Sequence, residues 1–306
     1  MGTLDPLQFS GDKPPLALIA GPTASGKSGY AVRLAKDLQM RGRTAVVINA
    51  DSAQMYADLH ILSARPTAME MNGVPHRLYG IWDGAEAGSA VQWAALAASE
   101  IAAVHAEGGV PILVGGTGLY LRTLLDGIAP IPPIDDVIRR EVRALSQPEA
   151  RSALEREDPV SAAHLAPADT ARTQRALEVV RATGRSILTW RERKEGGIGS
   201  RVALDARVLL PERKQLYLRC DARLQTMIDK GALAEVERLR GRQLDLTLPV
   251  MRAIGVPELT AYLTGDLALE EAVASAQTAT RQYAKRQYTW FSRQSASDWK
   301  QLQHAF

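Results

Sequence analysis

Short continuous apolar runs alternate along this chain with stretches in which apolar residues recur at helical spacing. LALIA at 16–20 has the length and composition of a buried strand, and 27–40 carries the amphipathic spacing of a helix. TAVVINAD at 44–51 is a second β-branched run, closing on Asp51. AVQWAALAASEIAAVHAE at 90–107 reads as a helix, punctuated by a glycine pair and Pro111. PILVGGTG at 111–118 reads as a third strand that breaks into glycines. Strands alternating with helices predict a parallel sheet with helices on its faces.

After Gly127 the pattern changes. IAPIPPID at 128–135 holds three prolines in eight residues and cannot continue a helix or a central strand. From Arg139 to Arg193 the spacing is helical, with 11 Arg against 8 acidic residues. KEGGIGSR at 194–201 reads as a linker, and VALDARVLLP at 202–211 returns as a strand. Residues 214–306 read as helical, ending in a long run from about Leu269. The expected organisation is a core of 14–130 plus 200–306, with a helical insertion at 131–195.

Composition narrows the class. At 306 residues, 46% hydrophobic and 23% charged, the chain has the make-up of a globular enzyme or binding protein. No apolar run approaches the roughly 18 residues of a membrane span, and MGTLDPLQFSGDK lacks the order of a secretory signal. Its one cysteine, Cys220, excludes an intrachain disulfide and a cysteine metal cluster. His60, His76, His105, His164 and His304 show no metal spacing. A cytoplasmic monomer is expected. Only 8 of the 37 basic residues are Lys; an Arg-rich balance suits phosphate and base recognition, and it also follows from a GC-rich genome.

Between the first strand and helix lies GPTASGKS, Gly21–Ser28, which matches G-x-x-x-x-G-K-[ST]. Backbone N–H groups of such a loop and the helix N-terminus after it form a positive nest for phosphate oxygens. Gly21, Pro22, Thr23, Ala24, Ser25, Gly26, Lys27 and Ser28 are therefore candidate phosphate-binding residues, with the Ser28 hydroxyl placed for Mg²⁺. The core is accordingly expected to be α/β, with a sheet of the P-loop NTPase type. Asp51 should face the same crevice, because α/β sheets build their sites at the carboxyl ends of strands. It reads as a proton acceptor, with a helix N-cap or a metal ligand as alternatives. Thr117 in GGTG presents a hydroxyl to that crevice. An ordinary P-loop kinase ends such a strand in Asp for Mg²⁺; here it ends in glycines. The tail ATRQYAKRQYTWFSRQ, 279–294, interleaves Arg281, Lys285, Arg286 and Arg293 with four aromatics, as in nucleic-acid contacts or as in a half-buried helix. Six of the 16 aromatics fall at or after Tyr283, Phe306 being the last.

With GPTASGKS, INADSAQMY, VPHRLYG, VGGTGLYL, RALEVVRATGRS, AIGVPEL and TRQYAKRQYTWF in this order, the chain resembles the tRNA dimethylallyltransferases over residues 16–294. The resemblance implies transfer of a dimethylallyl group from dimethylallyl diphosphate to N6 of the adenosine beside the tRNA anticodon. It implies that the P-loop holds the donor's diphosphate with Mg²⁺, that Asp51 acts on the amine, and that Thr117 lies near the base. Asp51, Ser52, Ala53, Gln54, Arg139, Ala171, Arg172, Thr173, Gln174, Arg175 and Arg252 fall in segments that contact tRNA in that family. The tail would add Arg281, Lys285 and Arg286, and Arg223 a further diphosphate contact. ILSARPT at 61–67 and Val256–Pro257 depart from the usual family strings. A small-molecule or nucleotide kinase and an RNA-binding GTPase-like switch are the competing classes, and both would bind or hydrolyse ATP or GTP.

Overall fold

The computed structural model describes residues 5–303; His304 and Phe306 lie outside them. The chain runs β1 (Pro15–Ala20), α1 (Lys27–Met40), β2 (Ala45–Asn49), α2 (Ala68–Met71), β3 (His76–Arg77), α3 (Ala90–Ala106), β4 (Val110–Gly115) and α4 (Gly118–Asp126). It continues through α5 (Asp136–Ala144), α6 (Gln147–Glu157), α7 (Pro159–Ala163), α8 (Thr170–Thr183) and α9 (Ile187–Arg191). The last elements are β5 (Ala203–Leu209), α10 (Arg213–Asp229), α11 (Ala232–Gly241), α12 (Val256–Leu263), α13 (Leu269–Gln294) and β6 (Lys300–Leu302).

The six strands form one parallel sheet in the order β3-β2-β4-β1-β5-β6. Leu16, Leu18, Ile48 and Leu113 are fully buried, and so are Ala17, Ile19, Ala45 and Ile112 on the alternate positions. Burial of both sets means that both faces are covered, which is why the strands read as continuous apolar runs rather than alternations. Tyr30, Ala31, Leu34, Ala35 and Leu38 of α1 pack on the face of Ala17, Ile19, Val47 and Ile112. Ser89 starts α3 with a capping box to Gln92, and Trp93 donates its indole N–H to Asn49 O at 2.8 Å, fixing that helix to the end of β2. The chain leaves β1 toward β2 and leaves β4 toward β5, in opposite directions. A crevice opens where such connections diverge.

Two short strands escape the sequence pattern. His76–Arg77 pairs with β2, and Lys300–Leu302 pairs with β5 through Arg207↔Lys300. The C-terminal part is therefore not helical to its end. Strands of two and three residues are too short to carry an alternation signal.

The chain divides into two compact units: residues up to Leu124 with those from Gly199 onward, and Leu125–Ile198. The second is a helical bundle around Val142, Leu154, Ala176, Leu177, Val179 and Ile187. Its stem closes on itself, with Ile128 and Glu195 exchanging backbone hydrogen bonds at 3.0 and 2.9 Å. Gly127 sits there at φ +84°, and a Cβ on it would lie 2.3 Å from Glu195 O.

Candidate active site

The loops after β1 and β2 converge on two adjoining cavities, of about 440 and 140 Å³. The smaller is lined by Thr23, Ala24, Gly26, Lys27, Ser28, Asp51, Gln54, Ser63 and Arg223. The larger is lined by Asp51, Ser52, Ala53, Tyr56, Leu59, Leu62, Tyr120, Leu224, Met227, Arg252, Tyr283 and Arg286, among others. Thr23, Asp51, Ser63 and Arg223 line both.

The phosphate loop turns through Ala24 at φ 60° and Gly26 at φ 88°, left-handed conformations that strain a side-chain-bearing residue and that glycine adopts freely. Lys27 opens α1 with its ammonium buried, donating to Pro22 O at 3.2 Å. Burial lowers it to about 8; the Asp51 carboxylate opposes the shift and the Arg223 guanidinium adds to it. Burial likewise lowers Arg223, again against Asp51. Gly21, Pro22 and Ser25 do not line either cavity. Ser25 N–H turns back onto Pro22 O at 3.3 Å, closing the loop on itself.

Asp51 stands two residues past β2, on a turn built by Asn49. The buried Asn49 amide donates to Asp51 O at 2.9 Å and to Leu78 O at 3.0 Å, and its oxygen accepts Asp51 N–H at 2.9 Å. The Asp51 Oδ1 accepts Ala53 N–H at 3.1 Å. Thr117, from the loop after β4, lines neither cavity; it accepts Ser52 N–H at 3.1 Å and donates to Ser52 Oγ at 3.4 Å. That approach needs Gly115, where a Cβ would fall 2.0 Å from Ala50 O. The half-buried Tyr79 and Tyr283 hydroxyls are held above their usual range by desolvation and then by the Asp51 charge. They remain protonated donors.

Gln54 holds the wall of the smaller cavity, which it also lines. It is 8% exposed, and its amide donates to Ser63 O and Ala64 O, both at 3.0 Å. In the helical unit, Thr173 is fully buried and its hydroxyl accepts from Gln147 at 3.4 Å, so it cannot face RNA. Ala171 is exposed and Gln174 half-buried. The three arginines nominated there are each paired: Arg139 with Asp136 at 3.0 Å, Arg172 with Asp169 at 2.8 Å, and Arg175 with the buried Glu178 at 3.3 Å. On α13, Arg281 is turned to Asp221 at 2.6 Å, Lys285 is exposed, and Arg286 lies over the Tyr283 ring at 5.7 Å. Of the nominated cations, Arg223, Arg252 and Arg286 line the large cavity.

Gln287 escaped the sequence reading. Its buried amide accepts Thr23 N–H at 2.8 Å and donates to Gly116 O at 2.9 Å. One side chain of α13 thus joins the phosphate loop to the glycine-rich end of β4. Its i+4 spacing from Tyr283 on an amphipathic helix was the available signal. His76 and His105 hydrogen-bond to Val74 O and Pro15 O, both at 2.8 Å, outside the cavities. Among the described residues no cluster of His, Cys, Asp and Glu could hold a metal by itself. A Mg²⁺ ion keeps several waters and binds through one or two carboxylates plus substrate phosphates. The Ser28 hydroxyl and Asp51 carboxylate on one small cavity fit an ion delivered with a diphosphate.

Comparison with known proteins agrees with this geometry. The family model described as IPP transferase matches residues 54–294. A tRNA dimethylallyltransferase of Erythrobacter litoralis is 64% identical over 96% of this chain and 92% of its own length. One of Sphingopyxis alaskensis is 60% identical over 93% and 92%. The crystal structure of tRNA isopentenylpyrophosphate transferase from Bacillus halodurans is 34% identical, with a TM-score of 0.68 over 95% of this chain and 90% of that one. A eukaryotic dimethylallyltransferase acting on tRNA is 27% identical, with a TM-score of 0.77 over 91% and 70%. The α/β sheet is thus of the P-loop NTPase type, and the chain belongs to the IPP transferase family.

Proposed function

We propose that this enzyme transfers a dimethylallyl group from dimethylallyl diphosphate to N6 of the adenosine next to the anticodon of tRNA. The observation that carries this reading is the position of Asp51, on the boundary shared by the phosphate-loop cavity and the larger one. Relatives named tRNA dimethylallyltransferase support it.

In this reading the diphosphate lies in the smaller cavity, against the first-turn amides of α1, the Lys27 ammonium and Arg223. The allyl chain and the base meet in the larger one. The exocyclic amine of adenine is a weak nucleophile. Its nitrogen forms the new bond to C1 of the donor as the C1–O bond breaks, and its proton passes to the Asp51 carboxylate. The electron pair of the broken bond leaves with the diphosphate, whose growing charge Lys27, Arg223 and the amides stabilise without reorganising. Thr117 orients the base edge through Ser52. Mg²⁺, when bound with the donor at Ser28, would add charge neutralisation on the leaving oxygens. Arg252 and Arg286 at the larger cavity, with the arginines of the helical unit, contact the tRNA backbone. The protein acts as a cytoplasmic monomer.

Incubation with labelled dimethylallyl diphosphate and bulk tRNA, followed by digestion to nucleosides, tests the assignment. Label in an N6-modified adenosine is the expected result. Unlabelled tRNA together with turnover of ATP would instead assign the chain to the P-loop kinases.

A further inference from the structure

Glu235 is a carboxylate in α11 with only 2% of its surface exposed. Its partners are three consecutive backbone amides more than 170 residues away. Oε1 accepts His60 N–H at 2.7 Å and Ile61 N–H at 2.8 Å, and Oε2 accepts Leu62 N–H at 2.9 Å. From the other end, buried Gln54 holds Ser63 O and Ala64 O. Ala64 adopts φ 52°, so the segment ends in a left-handed turn that the Gln54 amide stabilises. Gly255, at φ +97°, presses against Leu62, and a Cβ there would lie 2.8 Å from Leu62 Cδ2. Residues 60–64 are therefore clamped by two buried side chains, Glu235 from a remote helix on the amides and Gln54 from the preceding loop on the carbonyls.

This segment is a wall of the site. Leu62, Ser63 and Ala64 line the large cavity, and Ser63 lines the small one as well. Ser63 stands on the boundary between the two cavities, and Leu62, Leu59, Leu224 and Met227 are the aliphatic lining of the larger one, into which a hydrocarbon on a diphosphate in the small cavity would extend. The large cavity must also admit a base, so total volume does not limit the chain. The position of the wall does. A yielding apolar wall rewards a longer chain by burying more of it, so rejecting one requires a wall that does not move. Charge-assisted bonds to successive amides supply that stiffness.

Resting on the transfer reaction described above, we propose that Glu235 is a positioning residue for donor selection. Through His60, Ile61 and Leu62 it fixes the wall that limits the donor to a five-carbon chain. The test compares kcat/KM for dimethylallyl and geranyl diphosphate, with tRNA as acceptor, in the wild type, Glu235→Gln and Leu62→Ala. Glutamine keeps the size of the side chain but turns an N–H₂ group against one of the amides. The wild type prefers the five-carbon donor, and both variants lose about tenfold or more of that preference. The kcat with dimethylallyl diphosphate changes less than the ratio does. A loss of activity shared equally by the two donors, with the ratio unchanged, would overturn the proposal and leave Glu235 a fold residue. If Glu235→Gln does not melt cooperatively, the Leu62→Ala ratio alone decides in the same way. A wild type that transfers neither group would defeat the reaction itself, a result separate from an unchanged ratio.

Discussion

The side-chain oxygen of Gln287 accepts the Thr23 amide hydrogen at 2.8 Å, so the phosphate loop is held by a residue 264 positions along the chain. The same amide group reaches Gly116 O, and a Cβ at Gly116 would lie 2.3 Å from Gln287 Nε2. Phosphate loop, glycine turn and α13 are thus one rigid assembly around the site. Gln287→Leu keeps the volume but leaves a buried N–H and a buried carbonyl unpaired, each costing about 1–3 kcal/mol. The expected outcome is a lower melting temperature together with a raised KM for the donor, measured by thermal unfolding and steady-state kinetics. A melting shift with unchanged donor KM would limit Gln287 to stability.

Lys27 provides a pH signature. Its native ammonium is lowered from 10.5 to about 8 by burial. Between those values the unfolded chain holds a proton that the native state has released, so native stability rises with pH across that window. The burial penalty is present in full below about 8. Donor capture has the opposite sign, because the ammonium is what meets the diphosphate. The expected kcat/KM for donor falls as pH rises through about 8, while kcat is less affected because a bound anion favours the charged form. In Lys27→Ala the alkaline limb disappears and donor binding is weaker by about 1.5–3 kcal/mol. An alkaline limb that survives in the variant would belong to another group.

Asp51→Asn preserves shape and removes basicity. Turnover should fall by about 10²–10⁴-fold, the range for a general base, with tRNA affinity largely retained. Single-turnover rates and filter binding measured side by side check this. Equal loss in both would make Asp51 a binding residue.

The arginines of the helical unit make a separate prediction. Arg139 and Arg172 each sit beside one carboxylate, so their charge is partly compensated before any RNA arrives. Replacing either with Ala should weaken tRNA binding at moderate salt and leave donor binding intact. The slope of log affinity against log salt should flatten by roughly 0.7–0.9 for each lost phosphate contact. An unchanged slope and affinity would assign these arginines to the solvated surface of the bundle, with Arg252 and Arg286 left as the cationic clamp.

Much of the core was written locally. An apolar strand, a glycine-bracketed loop and an amphipathic helix are contiguous, so GPTASGKS could be read together with its structural setting. The place of Asp51 on both cavities was legible for a related reason: parallel strands of one sheet bring their carboxyl ends to a common edge. The arginine-rich segment between a proline-rich and a glycine-rich stretch reads as an insertion at 131–195, and the compact helical unit spans Leu125–Ile198.

Sequence alone therefore determined the central strands, the longer helices and which end of the sheet carries the chemistry, because these depend on patterns within a dozen residues, whereas the two short edge strands did not show. Only the tertiary structure decided which polar side chains face the cavity and which hold its walls. Gln54 and Thr173 sit in motifs that suggest RNA contact, yet both are buried, Gln54 on the carbonyls of a returning loop and Thr173 inside a helical bundle. Glu235 and Gln287 look like solvated positions on amphipathic helices, and both are buried on backbone groups far away in the chain. A carboxylate or an amide satisfies its hydrogen bonds equally well with water or with amides it cannot see in its own sequence. Which of the two it meets is settled only when remote segments close over it.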